Sequence, residues 1–257
     1  MKSVCAGVTH SGLVRINNED NIYIDGEYRA DLSVNVEWIS PHKEQEYHTL
    51  AVFDGVGGAE YGENASLICA EFLASMDNEG FYKQHREYIF KLNATVCEIL
   101  RDKGLRSMGS TVALVSIYND DMYLCNVGDS RIYIYREGRL VQVSKDHTSV
   151  QSMIDNGVID ESERKSNKFR HTLIQYIGCD DDCSIVPYVN AYRLKCSDII
   201  LVCSDGLTDM IEDVEIEKII HDNKQQSPNI VAETLLNQAL QNGGKDNISV
   251  VIAKMED

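Results

Sequence analysis

Leu50-Ala51-Val52-Phe53-Asp54-Gly55-Val56-Gly57-Gly58-Ala59-Glu60-Tyr61-Gly62-Glu63-Asn64-Ala65-Ser66 is the stretch around which the chain is organised. An apolar run stops at an aspartate, three glycines follow within four residues, and a helical pattern begins. The apolar run reads as a buried strand. A carboxylate at its end stands at the sheet margin, where glycines let other groups come close to the backbone. Asp-Gly is also the favoured pair of a tight hairpin. A hairpin needs a second strand at once, and here Gly57-Gly58 and a helix follow. Strand, carboxylate, glycine loop and helix point to an oxygen-rich site. No Gly-Lys-Ser/Thr closes the run, so it is not a phosphate-cradling P-loop.

The same punctuation recurs further out. Ile199–Cys203 is a second apolar strand that ends in Ser204-Asp205-Gly206-Leu207 and passes into helix. Gly128-Asp129-Ser130 interrupts a ladder of short strands at Thr111–Tyr118, Met122–Val127, Arg131–Tyr135 and Arg139–Val143. Lys245-Asp246-Asn247 precedes a last strand, Ile248–Ala253, and Glu19-Asp20 precedes an early one. A lone Asp is usually a turn or cap residue. Asp54, Asp129, Asp205 and Asp246 all stand at strand margins, which is harder to dismiss. Carboxylates share a small volume only when protonated or neutralised by cations. Oxygen donors without His or Cys indicate hard ions, Mg²⁺ or Mn²⁺.

Between these motifs lie helices. One runs from Ala59 to about Met76 with Ala65, Cys69, Phe72, Leu73 and Met76 on one face, and a second covers about 82–103 before Gly104. A short one is expected near 213–222 and a longer one near 228–241. Strands joined by short turns imply an antiparallel sheet. The order strands, two helices, strands, two helices, strand fits α+β and not alternating βαβ. Residues 26–48, with Trp38 and Pro41, read as a polar excursion to which no chemistry is assigned. Residues 146–172 read as a weakly helical excursion suited to a mobile flap.

Whole-chain properties narrow the class. The 257 residues, 43% hydrophobic and 25% charged, suit one large domain or two small ones. No run reaches the roughly 18 apolar residues of a membrane span, and Met1-Lys2 leads directly into a strand, so the cytosol is the expected location. The net charge of -17 argues against nucleic acid and anionic membranes as partners. Eight cysteines include no Cys-x-x-Cys, so a structural zinc site is not expected, and Cys179 and Cys183 read as reduced loop thiols.

Seven motifs in order resemble the metal-dependent type 2C protein phosphatases. They are Arg15-Ile-Asn-Asn-Glu19-Asp20, Phe53-Asp54-Gly55-Val-Gly-Gly58, Gly109-Ser110-Thr111, Val127-Gly128-Asp129-Ser130-Arg131, Asp146-His147-Thr148, Ser204-Asp205-Gly206-Leu207 and Lys245-Asp246-Asn247. Asn18-Glu19-Asp20 and Asp-Gly-x-Gly-Gly resemble the bacterial branch. The resemblance implies a single catalytic domain over 1–257, with a flap at about 146–180. Its fold would be a β-sandwich of two antiparallel sheets flanked by antiparallel helix pairs, with a binuclear metal site at one edge. It implies that Asp54 bridges two Mn²⁺ or Mg²⁺ ions and that the Gly55 carbonyl binds one. Asp205 and Asp246 would hold one ion, Glu19 would support the other, and a third, weaker ion would lie near Asp129 and Asp205. Arg15 matches the arginine that grips the substrate phosphate, and Asp20 joins it as a catalytic candidate.

The implied activity is hydrolysis of phosphoserine and phosphothreonine in proteins. Two cations would lower the pKa of a bridging water, and the resulting hydroxide would attack phosphorus in line. Where some members carry a histidine after Asp-Gly, this chain has Val56. Leaving-group protonation then falls to metal-bound water or to His147 or His171, with water favoured because His147 in Asp-His-Thr reads as a structural contact. Phosphorylated proteins, a serine/threonine kinase among them, are the implied partners of a monomer. The alternative is a catalytically weak, phosphatase-like regulatory module.

Overall fold

The computed structural model describes residues 1–39, 47–56, 61–76, 80–105, 108–179 and 184–256. Gly57, Gly58, Pro41, Cys183 and the acidic run Asp180-Asp181-Asp182 lie outside the described residues.

The first half runs β1 (Lys2–His10), β2 (Asp20–Ile24), β3 (Glu27–Tyr28), β4 (Val36–Ile39), β5 (Tyr47–Val56), α1 (Gly62–Met76) and α2 (His85–Lys103). Next come β6 (Gly109–Ser110), β7 (Val112–Tyr118), β8 (Asp121–Val127), β9 (Arg131–Arg136), β10 (Arg139–Gln142) and α3 (Ser149–Asp155). The chain closes with β11 (Tyr188–Arg193), β12 (Ile199–Cys203), α4 (Asp205–Thr208), α5 (Asp213–Asn223), α6 (Pro228–Gln241) and β13 (Ile248–Glu256). Helix ends follow local chemistry. Gly104, with φ of 63°, caps α2 in the left-handed region open to glycine. Pro228 opens α6, where its missing N–H costs nothing.

Among the described residues the strands form two antiparallel sheets. One has the order β10-β9-β12-β13-β1-β4; the other has β11-β8-β7-β5-β2-β3, with β6 paired to β5. Alternation along each strand sorts its side chains into two layers. In β5, Leu50 and Val52 enter the core between the sheets, whereas Ala51 and Phe53 face α1 and α2. In β13, Val251 and Ala253 face the other sheet, whereas Val250 and Ile252 pack with Ile216, Ile220, Val231 and Leu235 of α5 and α6. Both faces of these strands are therefore covered, which is why they read as continuous apolar runs. The result is the expected α-β-β-α sandwich, with one helix pair on each outer face.

The excursion at 26–48 is more structural than its sequence implied. Its β4 extends the first sheet by pairing with β1, from Gly7↔Ile39 to His10↔Val36. The excursion at 146–172 is closed at its base by the bridge between Thr148 and Leu173. Within it stand α3 and a short 3₁₀ turn, Glu161–Glu163.

Candidate metal centre

Antiparallel pairing brings the Asp-bearing ends together. β2 begins where β5 ends, with Asp20 opposite Asp54. β12 ends where β9 and β13 begin, with Cys203 opposite Arg131 and Val250. Asp129 precedes β9, Asp205 follows β12, and Asp246 precedes β13. All of these acids therefore stand at one end of the sandwich.

Close backbone approach sets the details. Gly55 donates its N–H to the Glu19 carbonyl at 3.2 Å. A Cβ on Gly55 would lie 2.3 Å from the Gly62 carbonyl oxygen, so only glycine fits. A Cβ on Gly62 would lie 3.0 Å from Glu19 Oε2 and 3.1 Å from the Gly55 carbonyl oxygen. The Glu19 carboxylate and the Gly55 carbonyl thus converge over the first turn of α1. The Asp54 N–H donates to Thr111 Oγ1 at 3.1 Å, and the Thr111 N–H returns a bond to the Asp54 carbonyl at 2.8 Å. Arg15 Nη2 donates to Asp246 Oδ2 at 2.7 Å across a solvent-open mouth.

The electrostatics are those of crowded carboxylates. Burial, reinforced by Asp20, Asp205, Asp129 and Asp246, pushes Asp54 well above the carboxylate range. Burial and the charges of Asp205 and Asp146 push Asp129 up as well, against Arg131. Burial, then Asp209 and Asp246, raises Asp205 to about 6. Glu19 is raised by burial and by Glu63. Acids that raise one another are a donor set short of positive charge, which divalent cations supply. The donors present, Asp54, Asp205, Asp246, Glu19, Asp129 and the Gly55 carbonyl, are all oxygens and fit Mn²⁺ or Mg²⁺.

Asp20 departs from expectation. It is only 1% exposed and sits behind the cluster rather than opening onto it. Its Oδ2 accepts from the hydroxyls of Ser204 and Ser249, both at 2.7 Å, while Oδ1 is buried without a partner. Burial outweighs those hydrogen bonds and raises it to about 7. It ties β2 to β12 and β13 beneath the site and has no surface to offer a substrate.

The two histidines separate. His147 is 8% exposed, and its Nδ1 accepts from the Gly128 N–H at 3.2 Å, so it holds the loop that carries Asp129. His171 instead stands 3.9 Å from Asp205 and 3.4 Å from Asp209, and one ligand atom from each of the three falls within 4.8 Å of the others. Together they could hold a further cation. Asp209 escaped notice in the sequence; its signal was the four-residue spacing from Asp205, one helical turn. These residues open into a cavity of about 570 Å³ that also borders Asp129, Arg164, Arg170 and Glu212. A cavity of about 620 Å³ by Tyr135, Lys195 and Lys254 lies at the other end of the strands, away from the acids.

Two further residues carry the site from below. Asn247 Oδ1 accepts from the Glu19 N–H at 2.7 Å, and its Nδ2 donates to the carbonyls of Ser11 and Asn17, both at 2.9 Å. Arg29, fully buried, donates through Nη2 to the carbonyls of Asn18 at 2.6 Å and Asp20 at 2.9 Å, and through Nη1 to that of Val34. It comes from the excursion to which the sequence assigned no chemistry.

The geometry has counterparts among known proteins. The serine/threonine protein phosphatase PstP of Mycobacterium tuberculosis is 30% identical over 256 residues, which cover 96% of this chain and 44% of that protein. The chain thus spans less than half of that relative. The protein phosphatase PhpP of Streptococcus pneumoniae is 28% identical over 231 residues, covering 87% of this chain and 92% of that protein. The catalytic domain of PstP solved in complex with 2 manganese ions superposes with a TM-score of 0.77 at 28% identity, each chain covered fully. The family model for protein phosphatase 2C matches residues 15–153 and 157–248, a span that takes in every acid assembled at this end of the sandwich, and the chain belongs to that family.

Proposed function

We propose that this chain is a metal-dependent phosphatase of phosphoserine and phosphothreonine in proteins. The observation that carries the reading is the meeting of Glu19, Asp54, the Gly55 carbonyl, Asp129, Asp205 and Asp246 at one end of the sandwich, with Arg15 at the mouth. The names of the curated relatives agree with it. Asp54, Gly55, Glu19, Asp205 and Asp246 would hold two divalent ions, and Asp129 with Asp205 a third. Ions bound there would lower the pKa of water and neutralise charge on a phosphoryl group.

The chain's own residues do the rest. Arg15 is half exposed and already points its guanidinium at the centre through Asp246. A substrate phosphate offers this planar fork a second, stronger charge-assisted partner. Asp20, Arg29 and Asn247 act as positioning residues for the loop that carries Glu19. His147 holds Gly128 and takes no part in proton transfer, which leaves water or His171 to protonate the departing hydroxyl. The segment 146–180 forms one wall of the cavity as a flap within a single catalytic domain, and phosphoproteins, including kinases, are the substrates.

A phosphopeptide assay with Mn²⁺, with Mg²⁺ and with chelator tests this reading. Turnover is expected with either metal and none with chelator. Asp54→Asn, Asp205→Asn and Asp246→Asn should each lower kcat by about two orders of magnitude or more while leaving the fold intact, since each removes ligand charge worth several kcal/mol of barrier. Near-normal Mn²⁺-dependent turnover in any of the three would overturn the assignment.

A further inference from the structure

Arg15 is flanked by apolar side chains that face water. Leu13 is 65% exposed, Val14 66% and Ile16 88%. Next to them on the edge strand β4, Val36 is 37% and Trp38 42% exposed, two residues apart and so on one face. Single exposed apolar residues are ordinary, but a contiguous group is not. Here three stand within four positions, and the loop joins β4 directly, because Asn35 Nδ2 donates to the Ile16 carbonyl at 3.2 Å and Ser11 donates to the Asn35 carbonyl at 2.9 Å.

The loop is also fastened. Leu13 donates its N–H to the Gly244 carbonyl at 2.7 Å. Gly12, with φ of 77°, sits so close to Asp246 that a Cβ would lie 2.2 Å from its carbonyl oxygen. Asn247 holds the carbonyls of Ser11 and Asn17 on either side. These anchors fix the backbone while the apolar side chains point outward. A surface ordered in advance loses little entropy when something covers it.

We propose that this ledge docks the phosphoprotein substrate through apolar residues next to the phosphoserine or phosphothreonine. The inference rests on the phosphatase reading above. Position names the occupant: a substrate whose phosphate meets Arg15 carries its neighbouring residues, each about 3.5 Å further along an extended chain, across Val14 or Ile16. Charge supports the same occupant. With a net charge of -17 the enzyme repels a phosphorylated segment at long range, and apolar contact is exempt from that repulsion. The cavity beside Asp205 is lined differently, by Glu161, Arg164, Lys165, Arg170 and Glu212.

The test uses two phosphothreonine peptides that are identical except for Leu or Ser at the positions flanking the phosphoresidue. Their kcat/KM values are measured alongside that of para-nitrophenyl phosphate, and fluorescence anisotropy follows non-hydrolysable phosphonate versions of both. The wild-type chain should favour the Leu-flanked peptide about tenfold in affinity and in kcat/KM. Val14→Ser combined with Ile16→Ser should bring the two peptides within about twofold and leave para-nitrophenyl phosphate hydrolysis unchanged. Equal affinities in the wild type, or a preference that survives the double variant, would overturn the proposal. So would a dimer seen by sedimentation in the wild type and lost in the double variant, since a second copy would then be the occupant. Absence of all metal-dependent turnover would sink the phosphatase reading alone, because phosphonate binding still decides the docking question.

Discussion

Arg15 and Asp246 hold each other across the mouth at 2.7 Å, and both are substantially exposed. Exposed pairs of this kind are worth little to stability, so the contact costs little to exchange for a phosphate. Arg15→Ala should therefore leave the melting temperature nearly unchanged. It should raise KM for a phosphopeptide more than it lowers kcat, the signature of a contact made equally in the ground and transition states. A pure kcat defect would place Arg15 on the transition state alone. Arg29 is the opposite case. Its guanidinium is buried, makes no ion pair among the described residues, and satisfies the carbonyls of Asn18, Asp20 and Val34. Arg29→Met keeps the stem but leaves those acceptors without donors, at about 1–3 kcal/mol for each buried group. The expected outcome is a stability loss of about 3 kcal/mol or more by urea unfolding, with Arg29→Lys intermediate. Because Glu19 lies between two of those carbonyls, the half-saturating Mn²⁺ concentration should also rise. A folded Arg29→Met protein with wild-type Mn²⁺ dependence would show that Arg29 supports the fold and not the site.

At the scale of elements, legibility followed burial and periodicity. The 3.6-residue stripe placed α1 and α2, and α6 was expected at 228–241, where Pro228–Gln241 lies. The apolar runs of β5 and β12 were legible because both of their faces are covered, and each ends in the Asp-Gly that marks the site. Apart from Asp209, what stayed hidden had no local signal. Arg29 sits in a polar stretch, and nothing in its neighbours says that its side chain turns inward. Asp20 reads like Glu19, yet alternation along β2 sends it under the sheet margin to Ser204 and Ser249, residues 184 and 229 positions away. The flap was read as a mobile excursion, and Arg164 bonds mostly within it, to Gln151 and Glu161, reaching Asp146 at its base. Lys165, Ser166 and Lys168 are exposed, and Lys165 pairs with Glu212 across the cavity. Replacing 165–168 by Gly-Ser residues should leave para-nitrophenyl phosphate hydrolysis nearly unchanged and reorder the preference among phosphoproteins. A parallel loss on small and protein substrates would instead make this segment part of the catalytic frame.

For the whole molecule the decisive quantity is how the acid cluster is neutralised. Without metal, burial and mutual repulsion hold Asp20 at about 7 and Asp205 at about 6, and raise Asp54 and Asp129 well above the usual range. In the unfolded chain the same groups titrate near 4. Between those limits the folded state binds more protons than the unfolded state, so stability must fall as pH rises from about 4 to about 7. Divalent ions reverse the sign, because ligation requires the ionised carboxylates and binds only the folded chain. The melting temperature in chelator should therefore drop from pH 5 to pH 7.5, whereas with saturating Mn²⁺ it should rise over the same interval. The net charge of -17 contributes a surface repulsion with the same slope as the metal-free cluster. Added salt screens that surface part, while buried charges are screened much less, so the slope should persist in 0.5 M NaCl. Asp54→Asn separates the two further. It removes a carboxyl whose ionised form burial and its neighbours disfavour in the folded state, so in chelator its melting temperature at pH 7.5 should exceed that of the wild type, while its gain from Mn²⁺ should shrink. Identical pH slopes with and without Mn²⁺, or an Asp54→Asn protein less stable than wild type in chelator, would mean that these carboxylates do not form one cation-binding cluster.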